Sequence, residues 1–162
     1  MIGLERFLES MHRHGVDFIV IGGIAARAHG SPRVTQDVDA VYSRLNGNID
    51  RIVVALAPFN PYLRGAPPGL PFEWSVKSVT AGLNFTLTTT IGDIDLLGEV
   101  TGGGRYEDLV AHSITADAFG FPTRFVSLQW LIRLKRAAGR PKDLEALAEL
   151  ELLLELGKYQ TP

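Results

Sequence analysis

Asp37 and Asp39 stand two residues apart in a stretch, 34–42, whose apolar and β-branched residues predict a strand. Strand side chains alternate, so both carboxylates project from one face while Val38, Ala40 and Tyr42 take the other. Two like charges that close repel, and a fold keeps them only where a cation or strong donors compensate. Mg2+ meets that need, because it binds one or two carboxylates and completes its octahedron with phosphate oxygens and water. Upstream, the apolar run 16–21 predicts a buried strand that ends at Gly22-Gly23. Two glycines let the backbone turn sharply and approach a ligand closely. A short helix over 24–29 would follow and aim its unpaired N–H groups at an anion over the turn, most naturally a phosphate.

Gly22-Gly23 followed by Arg33-x-Thr35-x-Asp37-Val38-Asp39 resembles the signature of the nucleotidyltransferase superfamily of the DNA polymerase β type in its minimal form. Small single-domain members of that form include AbiEii-like and MNT-type proteins of toxin–antitoxin systems. The resemblance implies a small mixed β-sheet flanked by helices, an α/β fold, and a third carboxylate on a later strand. Gly92-Asp93-Ile94-Asp95-Leu96-Leu97 supplies the candidates. Asp93 adjoins a turn glycine and suits turn chemistry. Asp95 lies inside the strand, where an unpartnered carboxylate is costly, and is the choice for the third ligand.

The elements that must position these groups follow from spacing. Leu4, Phe7, Leu8 and Met11 predict an amphipathic helix that Gly15 can end. Asn48 is placed to cap a helix carrying Ile49, Ile52, Val53 and Leu56. Residues 58–72 hold five prolines and two glycines, which bars a helix or a central strand. Arg64 is the only charge in that loop and is placed to contact a triphosphate. Strands over 84–90 and 94–100 should form an antiparallel pair around Ile91-Gly92-Asp93. Thr101-Gly102-Gly103-Gly104 lacks the Lys-Ser/Thr ending of a phosphate loop and reads as a connector. Residues 106–112 suit one or two helical turns, and 113–126 one or two short strands broken by Gly120 and Pro122. Ser127 can cap a helix closed by Gly139, and a second helix over about 142–155 completes an αα-hairpin. The whole chain, 1–162, reads as a single domain with a core over about 1–126 and the hairpin over about 127–157.

Basic residues cluster on that hairpin: Arg133, Lys135, Arg136, Arg140 and Lys142. In the resemblance a helix lysine faces the active site, and by position Lys135 is the choice for a phosphate contact, with Arg136 and Lys142 behind it. Arg33 can neutralise the carboxylates, reach the nucleotide or pair structurally with an aspartate. His12, His14, His29 and His112 share no metal-ligand spacing.

Composition limits the partners. A net charge of −2 argues against extended duplex nucleic acid, which needs many phosphate contacts, but leaves room for a tRNA end. No apolar run approaches the roughly 18 residues of a membrane span. The first ten residues do not read as a secretory signal, and a chain with no cysteine has no disulfide, cysteine-zinc or thiol chemistry, so the cytoplasm is expected.

The resemblance implies transfer of a nucleoside monophosphate from an NTP to a hydroxyl acceptor on a protein, a tRNA end or a small molecule. Asp37, Asp39 and Asp95 would hold two Mg2+ ions, with Mn2+ as an alternative. Gly22, Gly23, Arg33, Lys135 and Arg64 would bind the nucleotide. The family often has Ser where this chain has Gly23, so that phosphate bond would come from backbone. The alternative is a non-catalytic module of the same fold that binds nucleotide or a small helical protein partner. A glycosyltransferase would also use Asp37-x-Asp39, but does not account for Gly22-Gly23.

Overall fold

In the computed structural model, which describes residues 3–160, the apolar run forms β1 (Phe18–Ile21), an interior strand of a seven-stranded sheet. Ile19 and Val20 are wholly buried, as a strand covered on both faces requires. β1 runs antiparallel to β2 (Asp37–Tyr42), which runs parallel to β5 (Gly92–Leu97). On its other side β1 runs parallel to β7 (Phe121–Val126). Two hairpins extend the sheet, β4 (Asn84–Thr89) with β5 and β6 (Ser113–Ala118) with β7. The two-residue β3 (Tyr62–Leu63) pairs with β4, giving the order β3-β4-β5-β2-β1-β7-β6. This is the expected α/β architecture with a mixed sheet.

The first helix, α1 (Leu4–Arg13), buries Phe7, Leu8 and Met11, and Gly15 follows it in a left-handed conformation. α3 (Asn48–Leu56) packs beside it. Asn48 is the first residue of that helix and not its cap, which is Gly47. Its fully buried amide accepts from the Asp17 N–H at 2.7 Å and donates to the Asp17 and Ser43 carbonyls. The side chain thus ties the entry of β1 to the exit of β2, a long-range task that local spacing does not reveal.

A second group of helices covers the side where the carboxylates project. It comprises α2 (Gly22–Ala28), α6 (Leu128–Ala138) and α7 (Pro141–Gln160), with α6 and α7 forming the expected hairpin. Ser127 caps α6 by accepting from the Trp130 N–H, and Gly139 closes it at φ +64°.

Several boundaries differ from expectation. α2 begins at Gly22 itself, so the glycine pair forms the first helical turn. β2 begins at Asp37, because Thr35 Oγ1 takes the Asp37 N–H at 3.4 Å and donates to the Asp37 carbonyl at 3.2 Å in a local turn. Pro122 lies within β7 and does not break it. With Val20 opposite Phe125, Pro122 falls beside residue 17, before β1 starts, so its missing N–H costs no ladder bond there. A further helix, α4 (Val76–Ala81), lies outside the elements that spacing predicts, and Ser75 caps it by accepting from the Ser78 N–H. The remaining short helix, α5, spans Tyr106–Leu109.

Candidate active site

The parallel register of β2 and β5 sets Asp37 opposite Asp93 and Asp39 opposite Asp95. Adjacent parallel strands keep paired residues on one face, so four carboxylates share one side of the sheet. Val38, Ala40, Ile94 and Leu96 fill the opposite face and are wholly buried. That apolar anchoring fixes the strand faces, because a one-residue slip would bury the charges instead.

Asp39 and Asp95 thus stand side by side across the β2–β5 pair. Burial first, then the adjoining Asp95 carboxyl and the charge of Asp37, push Asp39 up to about 7, against the opposing pull of Lys135. Gly22 presses on this pair. Its φ is +68°, and a Cβ built there would stand 2.2 Å from Asp39 Oδ2. Gly23 is equally confined, with Thr35 Cβ and Oγ1 each 2.9 Å from where its Cβ would be. The Thr35 side chain thus fills the space that a serine at position 23 would need.

Arg64 covers the carboxylates of β5. Its Nε lies 3.2 Å from Asp93 Oδ2 and its Nη2 2.9 Å from Asp95 Oδ1. Both contacts are ion pairs without hydrogen-bond alignment: Arg64 Nε and Asp95 Oδ1 are buried and complete no hydrogen bond, while Nη2 donates to the Leu87 carbonyl at 2.8 Å. The backbone N–H of Arg64 also extends the pairing of β3, donating to Thr86 O.

A cleft of about 470 Å3 lies between the sheet and the α2, α6 and α7 helices, and neither Arg64 nor Asp93 is among its lining residues. Gly22, Gly23, Arg33, Asp37, Asp39, Asp95 and Lys135 all reach it, and Lys142 stands on its wall. Arg33 donates to Glu149 of α7 at 2.8 Å, and Ser31 donates to the same carboxylate. The bonds from Arg33 and Ser31 hold Glu149 below the usual carboxylate range. Arg136 turns to Glu151.

Spacing places Arg140 in the basic cluster of the hairpin but assigns no site role to it or to Asp143. Asp143 is fully buried, and its Oδ1 receives Lys135 Nζ at 3.2 Å while its Oδ2 receives Arg140 Nε at 2.6 Å. Arg140 Nη2 adds a bond at 3.2 Å and the Arg140 N–H one at 3.3 Å. Burial raises the Asp143 pKa, but the bonds from Arg140 and Lys135 outweigh it and the net direction is down. Pro141 and Asp143 at the start of α7 are a helix-start signature, and nothing in the spacing says that the carboxylate turns inward.

The donor set suits a hard cation. Asp39 and Asp95 stand opposite one another on adjacent strands, and Asp95 Oδ1 is a buried acceptor with no hydrogen bond. Among the described residues, no three His, Cys, Asp or Glu side chains converge as a ready-made metal cage. A Mg2+ site does not require one, because substrate phosphates and water supply the remaining oxygens. Among the described residues, no helix is long and apolar enough to cross a membrane.

No protein-family model matches the chain, and neither does any curated protein. Solved structures do. A Thermotoga maritima protein assigned as a nucleotidyltransferase aligns over 92% of this chain and 94% of its own, with a TM-score of 0.57 and 15% identity. An antigenic nucleotidyltransferase-like protein from Paracoccidioides brasiliensis aligns over 96% of this chain and 78% of its own, with a TM-score of 0.58 and 16% identity. At that identity the likeness is one of architecture, and the chain has a nucleotidyltransferase-like fold.

Proposed function

We propose that this protein is a metal-dependent nucleotidyltransferase that moves a nucleoside monophosphate from an NTP to a hydroxyl acceptor. The observation that supports this best is the half-buried Asp39–Asp95 pair, opposite one another on β2 and β5 beside Gly22, in a cleft that Lys135 and Arg140 also reach. The acceptor oxygen bonds to the α-phosphorus, the bond from that phosphorus to the β-phosphate bridge breaks, and pyrophosphate leaves. Asp37, Asp39 and Asp95 would hold Mg2+, which supplies charge neutralisation for the triphosphate and lowers the pKa of the acceptor hydroxyl. Asp95 takes the acceptor proton. Gly22 and Gly23 offer backbone N–H groups to the phosphates from a turn whose missing side chains leave room for Asp39 and Thr35, and Lys135 contributes charge-assisted hydrogen bonds.

Arg64 holds Asp95 in this reading, and its contact with the triphosphate is indirect. Arg33 is bound to Glu149 and shapes the cleft wall. Acceptors include a protein side chain, a tRNA end or a small molecule, and a toxin–antitoxin pairing with a small helical protein is the context the motif suggests. A chain without cysteine suits the cytoplasm.

A non-catalytic, nucleotide-binding or partner-binding module is the second reading. The pairing of Arg64 with Asp93 and Asp95 favours it, because an internal cation already compensates the third carboxylate. Calorimetric titration of Mg2+ with non-hydrolysable ATP, GTP, CTP and UTP analogues separates the two. Metal-dependent binding that Asp37→Asn and Asp95→Asn both abolish supports the enzyme, and α-labelled NTPs then identify the acceptor. No binding of any analogue removes it.

A further inference from the structure

Lys135 sits on α6 and Asp143 on α7, eight residues apart across the hairpin turn. The carboxylate is fully buried, whereas the lysine side chain is 21% exposed and Arg140 59% exposed. A buried carboxylate is costly unless it is paired, and this one is fixed by four donors, including the backbone N–H at the start of α7. It is therefore the rigid member, and the two cations are the members that it holds.

Lysine has three ammonium donors on a flexible stem. Asp143 takes one, which stops the stem from sampling solvent and leaves the rest of the ammonium at the cleft. Arg140 likewise keeps Nη1 unused by Asp143. Both cations act on the carboxylate centre, Lys135 on Asp39 and Arg140 on Asp39 and Asp95. A polyphosphate drawn to that centre meets two positive charges whose positions are already set. Preorganised donors of this kind bind better than free ones, because their ordering has been completed during folding.

We propose that Asp143 is a positioning residue that holds Lys135 and Arg140 as a two-cation clamp for the triphosphate of the nucleotide. This rests on the nucleotidyltransferase reading and adds to it a role for Asp143 and a second cation, Arg140. Neither residue would touch the reacting phosphorus.

The test uses the full chain, Mg2+ and the non-hydrolysable analogue that binds the wild type, with inorganic tripolyphosphate as a second probe. Asp143→Asn should weaken both probes by roughly tenfold or more, as loss of a group that orients a ligating residue does elsewhere. Lys135→Met should weaken them similarly, and the double variant should lose little beyond the larger single effect. A purely structural role would instead lower the melting temperature, leave affinity intact and give additive losses, and that result overturns the proposal. Should Asp143→Asn fail to fold, Arg140→Ala on the exposed arm replaces it; wild-type affinity for both probes in that variant also overturns the proposal. If the wild type binds neither probe, the nucleotidyltransferase reading falls and the clamp with it, an outcome read from the wild-type arm alone.

Discussion

Gly22 lies against Asp39 so closely that a Cβ at position 22 would meet the carboxylate oxygen at 2.2 Å. The glycine turn and the carboxylate are therefore one mechanical unit, although 17 residues separate them. Gly22→Ala must place an L-residue at φ +68° and displace the half-buried Asp39 side chain. The backbone conformation alone costs about 1–2 kcal/mol. Denaturant unfolding should show a loss of at least that size, and calorimetry the loss of nucleotide binding. Wild-type stability in the variant would mean that Asp39 has room to move and that the turn does not confine it.

Gly23 and Thr35 form a second such pair. Gly23→Ser introduces a side chain into space held by Thr35 and should cost about 1–3 kcal/mol, as overpacking does. Thr35→Ala vacates that space. Combined, the two substitutions should be more stable than Gly23→Ser alone, a non-additivity that a double-mutant cycle of urea unfolding measures directly. Additive losses would show that the serine finds room without Thr35 giving way.

Asp39 gives the metal-free protein a pH dependence of definite sign. Its carboxyl titrates near 3.8 in the unfolded chain and near 7 when folded. Below 3.8 both states are protonated and the group has no effect. Between 3.8 and 7 the unfolded chain loses the proton while the folded chain keeps it, so stability falls as pH rises; above 7 the penalty is constant. Asp39→Asn removes this titration. In chelator, the stability of the variant relative to wild type should rise across pH 4 to 7 and then level off. A difference that stays flat over this range would place the Asp39 titration elsewhere.

Much of this site is legible in the chain because it depends on local alternation. Asp37 and Asp39 flank a buried Val38, and Asp95 sits between Ile94 and Leu96, so the faces follow from period two. The αα-hairpin follows from Ser127, Gly139 and Pro141, each acting on its own neighbours. What escapes sequence reading is long-range pairing. Arg33 meets Glu149 at a separation of 116 residues, Asn48 joins two strand ends, and Asp143 turns inward toward Lys135. The sequence marks Arg33 and Lys135 as candidate phosphate contacts and Asn48 as a cap, but the partner of each is visible only once the fold brings it near. Even α4 depends on packing, since six residues make too short a helix to be stable alone.

Arg64 and a divalent cation would compensate the same carboxylate, and that competition can be measured. The guanidinium lies 2.9 Å from Asp95 Oδ1 and 3.2 Å from Asp93 Oδ2, on a side chain only 27% exposed. Arg64→Ala leaves Asp95 beside Asp39 and Asp93 without the guanidinium that follows β3, and removing one partner of a half-buried pair should cost about 1–3 kcal/mol. Mg2+ supplies what the arginine supplied. Its addition should therefore raise the melting temperature of Arg64→Ala by more than it raises that of the wild type, with the gap closing again in chelator. Equal shifts in the two proteins would mean that Mg2+ binds without engaging Asp95, and the third carboxylate would then have to be sought at another residue.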